Sequence, residues 1–303
     1  MSSILKNPVT RRLLRPAATL IDQRMQRPVS RLRKDLDSLR REVSELRGQE
    51  YAVGLIFDKT GRSGPRLPTS AQIEKLVKEI AAVSGQDIGA ARRNVTIAFR
   101  NVIALESLAV GRLAGSTQNV CGKLATIPLL DPPNPDVLEI GTLYGLFSAT
   151  LMRMLHRAGI DPRLTIVDPL AGSQLQPGAV QGADPTGTPV RIDVVRANLA
   201  LGGTAGEQAR VQQGFSDDPK VREAVSDRKY GVIIVDGDHS ADGVASDLKW
   251  VEEIVAPGGI VVLDDYGDNR WAGVQEAADK HLAGSTRFEM LGRASTSAFL
   301  RAR

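Results

Sequence analysis

The sequence predicts an α/β fold organised around a doubly wound, mostly parallel sheet. A short apolar run, DVLEI at 136–140, is followed by glycines and then by a segment with helical periodicity, which is how such a sheet begins. Three further runs end in carboxylates: RLTIVD (163–168), YGVIIVD (230–236) and GGIVVLDD (258–265). Runs this apolar are typical of strands that are buried on both faces. Because parallel strands end at one edge of the sheet, we expect a ligand site at that edge.

The turn after the first strand carries Gly141, Thr142 and Gly145. Glycine lets the backbone approach a ligand closely, and the following helix offers unpaired N–H groups at its N-terminus. The spacing G-x-x-x-G does not satisfy the dinucleotide fingerprint G-x-G-x-x-G, which disfavours an NAD-dependent oxidoreductase. A strand–glycine–helix turn often only connects the strand to the helix and binds no ligand. Whether this one has a function depends on the strands that follow it.

Composition and charge limit the classes of function. The 303 residues carry a net charge of +4, too small to predict a nucleic-acid partner, and an aromatic content of 4% disfavours a base-stacking surface. Cys121 is the only cysteine, which excludes an intramolecular disulfide or a cysteine-based metal cluster and fits a cytoplasmic location. The sequence has no apolar run of about 18 residues and no apolar core typical of a secretory signal.

The N-terminal segment has two features of its own. Its first 34 residues carry nine lysines and arginines against one acid, Asp22, which predicts either a solvated basic face or peripheral contact with an anionic membrane. Apolar residues then recur with 4-3-4-3 spacing at Leu32, Leu36, Leu39, Val43 and Leu46. This a/d seam is shorter than three heptads; it predicts a dimerising coiled-coil helix, and hence a homo-oligomer, or a helix packed on its own domain.

Two helices are predicted between this segment and the sheet. Thr69 and Gln72 form a candidate capping box, which would open a helix that extends to about Val83. The spacing of apolar residues predicts a second helix over 88–113, with Leu105 and Leu108 on its apolar side. We expect these helices to form a cap or a dimer surface, and the sequence assigns them no chemistry.

Two motifs taken together resemble a known family. EIGTLYG (139–145) is similar to the glycine motif of class I S-adenosylmethionine-dependent methyltransferases, in the variant used by metal-dependent O-methyltransferases. VDGDHSADGVASDLKWVEEIVAPGGIVVLDDY (235–266) resembles the branch that includes macrolide-sugar O-methyltransferases and cephalosporin hydroxylase-like proteins. The resemblance covers residues 116 to 303.

The resemblance implies a Rossmann-like, seven-stranded sheet with an antiparallel end formed by RFEML (287–291) and SAFLRAR (297–303). We therefore expect three segments. Residues 1–50 would form a basic arm and an amphipathic or coiled-coil helix, 51–130 a helical cap region, and 131–303 the class I methyltransferase domain. The approach to the first strand would lie over the cofactor, which makes Ser116 and Thr117 weak site candidates.

The cofactor that the resemblance implies is S-adenosyl-L-methionine. Glu139 and the glycine turn would face its methionine end, Asp168 would accept both ribose hydroxyls, and Ser216 with Asp217 would lie near the adenine. The complete set of expected cofactor-binding residues is Glu139, Gly141, Thr142, Gly145, Asp168, Ser216, Asp217 and Asp236.

Methyl transfer to a hydroxyl also needs a base, a metal ion or both. Matched to the family, Asp236, Asp264 and Asp265 would be ligands of Mg²⁺, which would act as a Lewis acid and template. His239, with Asp236 beside it, would be the catalytic base, since an imidazole titrates near neutral pH. The alternatives are that His239 caps the next helix, or that Asp264 and Asp265 form a capping turn in a metal-independent enzyme.

The expected function is O-methylation of a sugar, a glycan or another small molecule. The long loop that follows Asp168 is rich in glycine, proline and glutamine, and we expect it to be an active-site lid. A non-catalytic scaffold that keeps the fold is the main alternative, and an NAD-dependent oxidoreductase is less favoured. The lid and the helices at 70–113 carry no motif that identifies the methyl acceptor.

Overall fold

The computed structural model describes residues 26, 28–47, 68–172, 175 and 187–303. The chain divides into two units, Met1–Asp58 and Lys59–Arg303. In the first unit, residues 28–47 form helix α1. The predicted basic arm, the loop before Thr69 and most of the predicted lid lie outside the described residues. The predicted boundaries at residues 50 and 130 stay predictions.

The second unit is built on a seven-stranded sheet of order β3-β2-β1-β4-β5-β7-β6. The strands are β1 (Asp136–Ile140), β2 (Arg163–Asp168), β3 (Arg210–Gln213), β4 (Tyr230–Val235), β5 (Val255–Leu263), β6 (Phe288–Ala294) and β7 (Ser297–Ala302). Strands β1 to β5 run parallel, and β7 pairs antiparallel with both β5 and β6. The predicted doubly wound α/β fold with an antiparallel end is confirmed.

The register of the sheet aligns the carboxyl ends of β1, β2, β4 and β5. Ile140 pairs with Val167 on one side and with Val235 on the other, and Val235 pairs with Leu263. The residues that follow continue this ladder: Gly141 donates to the Val167 carbonyl, Asp236 to Ile140, and Asp264 to Val235. The glycine turn and the strand-end carboxylates therefore meet at the switch point between β1 and β4, where ligands bind in such sheets.

Helices cover both faces of the sheet. They are α2 (Ser70–Ser84), α3 (Ile88–Leu108), α4 (Thr117–Thr126), α5 (Leu146–Arg157), α6 (Ile192–Leu199), α7 (Thr204–Glu207), α8 (Pro219–Val225), α9 (Ala241–Ile254) and α10 (Ala272–Leu282). Alternate residues of β4 face opposite sides: Val232 and Ile234 join a core with α2 to α6, whereas Ile233 and Val235 join a core with α8 to α10. Among the described residues, no helix is long and apolar enough to cross a membrane.

The capping box predicted before α2 is present. The Thr69 backbone N–H donates to Gln72 Oε1 at 2.8 Å, and the Gln72 N–H donates to Thr69 Oγ1 at 3.3 Å. The helix ends at Ser84, and Gly85 follows in the left-handed conformation with φ 67°.

Helix α3 ends at Leu108, so the prediction that it extends to residue 113 is wrong. Tertiary hydrogen bonds end it, because Asn198 bonds both the N–H and the carbonyl of Val110, and Glu106 accepts from the N–H of Leu113. Leu108 is 72% exposed, which corrects its predicted place on the apolar side. The PGG segment at 257–259 lies inside β5, where the register shifts against β4.

Candidate active site

A cavity of about 580 Å³ opens at the carboxyl edge of the sheet. Its walls come from the glycine turn, from the ends of β2 and β4, from the segment after β3 and from the start of α9. The predicted site residues that line it are Glu139, Gly141, Thr142, Asp168, Ser216, Asp217, Asp236 and His239. The structure therefore brings together, around one cavity, residues that are up to 100 positions apart in the sequence.

Gly141 and Gly145 have different roles in the turn. Gly141 has φ 85°, and a Cβ at this position would overlap the backbone carbonyl of Asp236, so the close approach of β1 and β4 requires glycine. Gly145, with φ 77°, begins α5 and does not line the cavity. A Cβ there would lie 3.2 Å from the side chains of Val195 and Leu199, so this glycine allows packing against α6.

Asp168 holds the glycine turn in place. Its Oδ2 accepts the backbone N–H groups of Thr142 at 2.7 Å and Leu143 at 3.3 Å, and its Oδ1 accepts that of Leu170 at 2.7 Å. Burial raises the pKa of the Asp168 carboxyl, and these three hydrogen bonds act in the opposite direction. A carboxylate has about four acceptor positions, so about one remains for a ligand.

Glu139 is a buried acid in the middle of the predicted cofactor region. It belongs to β1, lines the cavity and accepts a hydrogen bond from Ser148 Oγ at 2.8 Å. Burial raises the pKa of its carboxyl to about 8. Glu139 is therefore mostly protonated at neutral pH, until a cation lies beside it.

The sequence analysis missed Asp247, which lies on the cavity wall near Ser216 and Asp217. Its carboxylate is buried, its Oδ2 has no hydrogen-bond partner among the described residues, and its Oδ1 lies 3.6 Å from Arg222 Nη2. Burial raises the pKa of Asp247 to about 6. The sequence did contain an indication of this role. Asp247 lies on the same side of the predicted helix as Val244, Leu248 and Val251, where a buried apolar residue would be expected.

A second group of side chains, which we call the carboxylate–lysine cluster, consists of Lys123, Asp236, His239, Asp264 and Asp265. Lys123 extends from α4, and its Nζ lies 2.8 Å from Asp264 Oδ1 and 3.3 Å from Asp236 Oδ2. Its ammonium also lies 4.7 Å from the centroid of the Phe147 ring. Lys123 is 2% exposed and lines the cavity, whereas Asp264 and Asp265 lie behind the cavity wall.

Asp264 is held by three residues from two elements, α4 and β7. Oδ1 accepts from Asn119 Nδ2 of α4 at 2.6 Å and lies 2.8 Å from Ser297 Oγ of β7, in addition to its contact with Lys123. Ser116 caps α4 by accepting the Asn119 N–H at 3.2 Å, so it positions the helix. Neither Ser116 nor Thr117 lines the cavity.

Each charged group in the carboxylate–lysine cluster shifts the pKa values of its neighbours. Burial alone would lower the pKa of Lys123, but the carboxylates of Asp264 and Asp236 outweigh burial and raise it, so the side chain is an ammonium. Burial opposes ionisation of Asp264, yet the Lys123 charge and its hydrogen bond hold the Asp264 pKa well below its usual range. Burial and the nearby Asp264 and Asp236 raise the pKa of Asp265 to about 7, and burial and Asp264 raise that of Asp236.

His239 lies between the cavity and the cluster. Its Nε2 is 3.4 Å from Asp236 Oδ1, its Nδ1 is 3.8 Å from Asp265 Oδ2, and its ring packs edge-on against Trp271 at 4.8 Å between centroids. Burial opposes its protonation, but the hydrogen bond to Asp236 and the surrounding carboxylates raise the pKa of His239. Nδ1 has no hydrogen-bond partner among the described residues.

The two capping alternatives do not describe these residues. Ser240, not His239, caps α9, since its Oγ accepts the N–H of Gly243 at 3.1 Å. The turn after Asp264 and Asp265 leads to a short 3₁₀ helix at Asn269–Trp271, which is capped by Asp268.

The arrangement of the cluster does not fit the predicted magnesium site. With Lys123 in place, the described part of the chain presents no group of three or more His, Cys, Asp or Glu residues that could hold a metal ion. The Lys123 ammonium lies between Asp236 and Asp264, where a shared cation would bind. Carboxylate oxygens bind Mg²⁺ at about 2.0–2.1 Å, so the ion and the ammonium could not both occupy this position.

Comparisons with known proteins add a family match. Residues 138–266 match the model of a family described as a methyltransferase domain, and no curated protein matches the chain. This match extends from β1 through the glycine turn to the end of β5, so it contains most of the candidate site.

Three solved structures are among the similar ones. The O-methyltransferase NovP is 18% identical, with 77% of this chain and 98% of that chain covered and a TM-score of 0.49. An O-methyltransferase from Bacillus cereus in complex with SAH is 14% identical, with 78% and 93% covered and a TM-score of 0.44. The O-methyltransferase TomG from Streptomyces achromogenes, involved in tomaymycin synthesis and solved with SAM, is 18% identical, with 68% and 88% covered and a TM-score of 0.42.

Proposed function

We propose that this chain is a class I S-adenosylmethionine-dependent methyltransferase that transfers a methyl group to a hydroxyl oxygen of a sugar, a glycan or another small molecule. The observation that carries the proposal is the position of His239. Its imidazole lines the same cavity as Glu139 and Asp168, and Nδ1 has no hydrogen-bond partner among the described residues. Transfer to a weakly acidic hydroxyl requires such a base beside the cofactor.

The proposed cofactor-binding site consists of the buried acids Glu139 and Asp168 and of the segment after β3. Glu139 would face the methionine end, next to the backbone of Gly141 and Thr142. Asp168 would accept one ribose hydroxyl, since backbone N–H groups already take most of its acceptor positions. Ser216 and Asp217 would lie near the adenine.

The charge of the cavity wall supports a sulfonium rather than a pyrophosphate ligand. Glu139, Asp168, Asp217, Asp236, Asp238, Asp242 and Asp247 all line the cavity, against the basic side chains of Arg112 and Lys123. A cationic cofactor is attracted by such a wall, whereas the pyrophosphate of NAD would be repelled. This charge balance disfavours the oxidoreductase alternative.

The proposed reaction is a direct displacement. The acceptor oxygen attacks the methyl carbon, the carbon–sulfur bond breaks, and its electron pair remains on sulfur, which leaves S-adenosylhomocysteine. The hydroxyl proton passes to His239. Asp236 Oδ1 lies 3.4 Å from His239 Nε2, and its negative charge stabilises the imidazolium that forms.

The experiment compares His239→Gln with His156→Gln. His156 lies on α5, pairs with Asp161 at 3.3 Å and does not line the cavity, so its substitution controls for the loss of an imidazole. Formation of S-adenosylhomocysteine is first measured with a panel of sugars and other hydroxyl compounds. We expect His239→Gln to lower turnover by about 10²- to 10⁴-fold with little change in cofactor affinity. The turnover of His156→Gln should equal that of the wild type.

Full activity in His239→Gln would contradict the assignment of the base. Absence of both cofactor binding and methyl transfer in the wild-type protein would instead favour the non-catalytic scaffold.

Two further expectations stay proposals. Peripheral membrane contact through the basic N-terminus is tested by co-sedimentation with neutral and anionic liposomes, and a cytoplasmic location is tested by cell fractionation.

A further inference from the structure

We propose that Lys123 supplies, as a resident ammonium, the positive charge that a bound divalent cation would otherwise supply beside the methyl acceptor. This inference rests on the proposed function, and it makes methyl transfer independent of added metal. Lys123 lies outside the motifs from which the sequence predicts the site.

The first argument is position. Asp236 and Asp264 follow neighbouring parallel strands, and Lys123 Nζ lies within 3.3 Å of one carboxylate and 2.8 Å of the other. The ammonium therefore bridges the two acids that would be shared ligands of a cation. Asn119 and Ser297 add two more contacts to Asp264 Oδ1, so this oxygen is already surrounded by donors.

The second argument is the cost of moving the lysine away. An ammonium this deeply buried is stable only if it is paired, and Lys123 has two carboxylates and the face of the Phe147 ring as partners. A metal ion at this position would have to separate the ammonium from both carboxylates and from the Phe147 ring. The pairing therefore favours the ammonium over an exchangeable ion.

The third argument is access to the reaction. An ammonium has three N–H donors, and the two carboxylates account for two of them. Lys123 also lines the cavity, on the same wall as His239 and Asp236. The third N–H would donate to the acceptor oxygen and stabilise the negative charge that develops there as His239 removes the proton.

The first test measures metal binding and needs no methyl acceptor. Mn²⁺ is titrated into the full-length wild-type protein and into Lys123→Ala, and free Mn²⁺ is followed by electron paramagnetic resonance. We expect no stoichiometric binding to the wild type and one new site in Lys123→Ala, where the carboxylates have lost their ammonium. Stoichiometric binding of Mn²⁺ to the wild type would overturn the proposal, whether or not the variant folds.

The second test measures transfer by the wild type after removal of metal with EDTA. We expect less than a twofold change in rate on chelation and on re-addition of Mg²⁺. A tenfold or larger loss that Mg²⁺ restores would overturn the role of Lys123 and leave the methyltransferase proposal standing. Absence of transfer under every condition would overturn the proposed function instead, and the Mn²⁺ titration would still decide the identity of the cation.

We also infer, from an independent observation, that α1 pairs with α1 of a second copy as a parallel coiled coil. Within the described part of the chain, the seam side chains of α1 are 45% to 67% exposed. Positions a hold Val29, Leu36 and Val43, and positions d hold Leu32, Leu39 and Leu46. Valine at a with leucine at d favours two strands in parallel.

The charges beside the seam select the orientation. Within α1 every e position is an arginine, at Arg33, Arg40 and Arg47. The g positions hold Pro28 at the start of the helix and then the acids Asp35 and Glu42. In a parallel pair, g of one helix faces the next e of the other, which joins Asp35 to Arg40 and Glu42 to Arg47 across the interface. An antiparallel pair would instead place arginines opposite arginines and acids opposite acids.

The test uses the full chain in sedimentation equilibrium and a cross-link. We expect a concentration-dependent dimer for the wild type, a monomer for Leu39→Lys, and weakened association for Arg40→Glu that is restored by adding Asp35→Lys. Leu46→Cys would form a disulfide-linked dimer on mild oxidation, since a parallel pair places the two residues side by side. A wild type that stays monomeric at high concentration, or a charge-swapped double variant that remains weak, would overturn the inference.

Discussion

Two carboxylates at the same edge of the sheet show how different neighbours give one residue type different chemistry. Asp168, at the end of β2, is held by the backbone N–H groups of residues 142, 143 and 170. Asp264, just past the end of β5, is held by an amide, a hydroxyl and the ammonium of Lys123. Backbone donors leave Asp168 a position for a neutral hydroxyl, whereas the ammonium makes Asp264 part of a charge-balanced cluster.

The difference teaches that the strand motif alone does not decide the role of its terminal acid. Both acids follow a buried parallel strand, and both are almost completely buried. The donors of Asp168 come from segments next to β1 and β2, and those of Asp264 come from α4 and β7. Four substitutions that change these acids or their neighbours test this contrast.

The largest effect is expected on stability, from Asp264→Asn. This change leaves the buried Lys123 ammonium with one close carboxylate, and loss of a partner from a buried ion pair costs about 3–5 kcal/mol of unfolding free energy. Asp265→Asn is the matched control. The pKa of Asp265 is about 7, so the acid is already about half neutral at pH 7 and its amide should cost far less.

Urea denaturation of the two variants and the wild type at pH 7 measures this difference. Equal losses in Asp264→Asn and Asp265→Asn would show that the ammonium does not depend on Asp264 in particular, and the contrast between the two strand ends would fail.

A smaller effect, on ligand affinity, is expected from Asp168→Asn. The amide keeps the shape of the side chain but removes the charge that accepts the backbone N–H groups and, as proposed, a ribose hydroxyl. A hydrogen bond to a charged group contributes about 1.5–3 kcal/mol, which corresponds to about a 10- to 100-fold loss of affinity for S-adenosylmethionine. Calorimetric titration measures this loss, with Asp217→Asn as a comparison at the adenine end. Unchanged affinity in Asp168→Asn would remove the ribose assignment.

The smallest effect is a pH dependence of cofactor binding that is due to Glu139. Its pKa in the free protein is about 8, so below that pH the carboxyl is mostly protonated and must lose its proton to face a cation. Affinity for S-adenosylmethionine should therefore rise with pH, by about tenfold between pH 6 and pH 7. Glu139→Gln has no proton to lose, and its affinity should be weaker and flat over the same range. A pH dependence that persists in Glu139→Gln would assign the titration to another group.

The sequence predicted the sheet and most of the cavity because those signals are local. Strands β1, β2 and β4 are runs rich in apolar residues, and Glu139, Asp168, Asp236 and His239 lie within one of these strands or within four residues of its end. Because the strands are parallel, their carboxyl ends lie at one edge of the sheet, so these residues could be placed together from the sequence alone.

Lys123 was missed because its role depends on long-range packing. It precedes Asp236 by 113 residues and belongs to a helix without a motif. The only available signal was the pair Asn119 and Lys123, which are four positions apart and hence on one face of a helix that otherwise carries small and apolar residues. The early end of α3 was missed for the same reason, since the side chain of Asn198, 88 residues further along the chain, takes the backbone hydrogen bonds of Val110.

The measurement that tests the account most directly is calorimetric titration of S-adenosylmethionine into the wild-type protein, carried out in EDTA and again in millimolar Mg²⁺. We expect one binding site per chain with the same affinity and heat in both conditions, because Glu139 and Asp168 would hold the cofactor without metal and the Lys123 ammonium already occupies the position of the ion. Binding that appears only with Mg²⁺, or no binding in either condition, would contradict it.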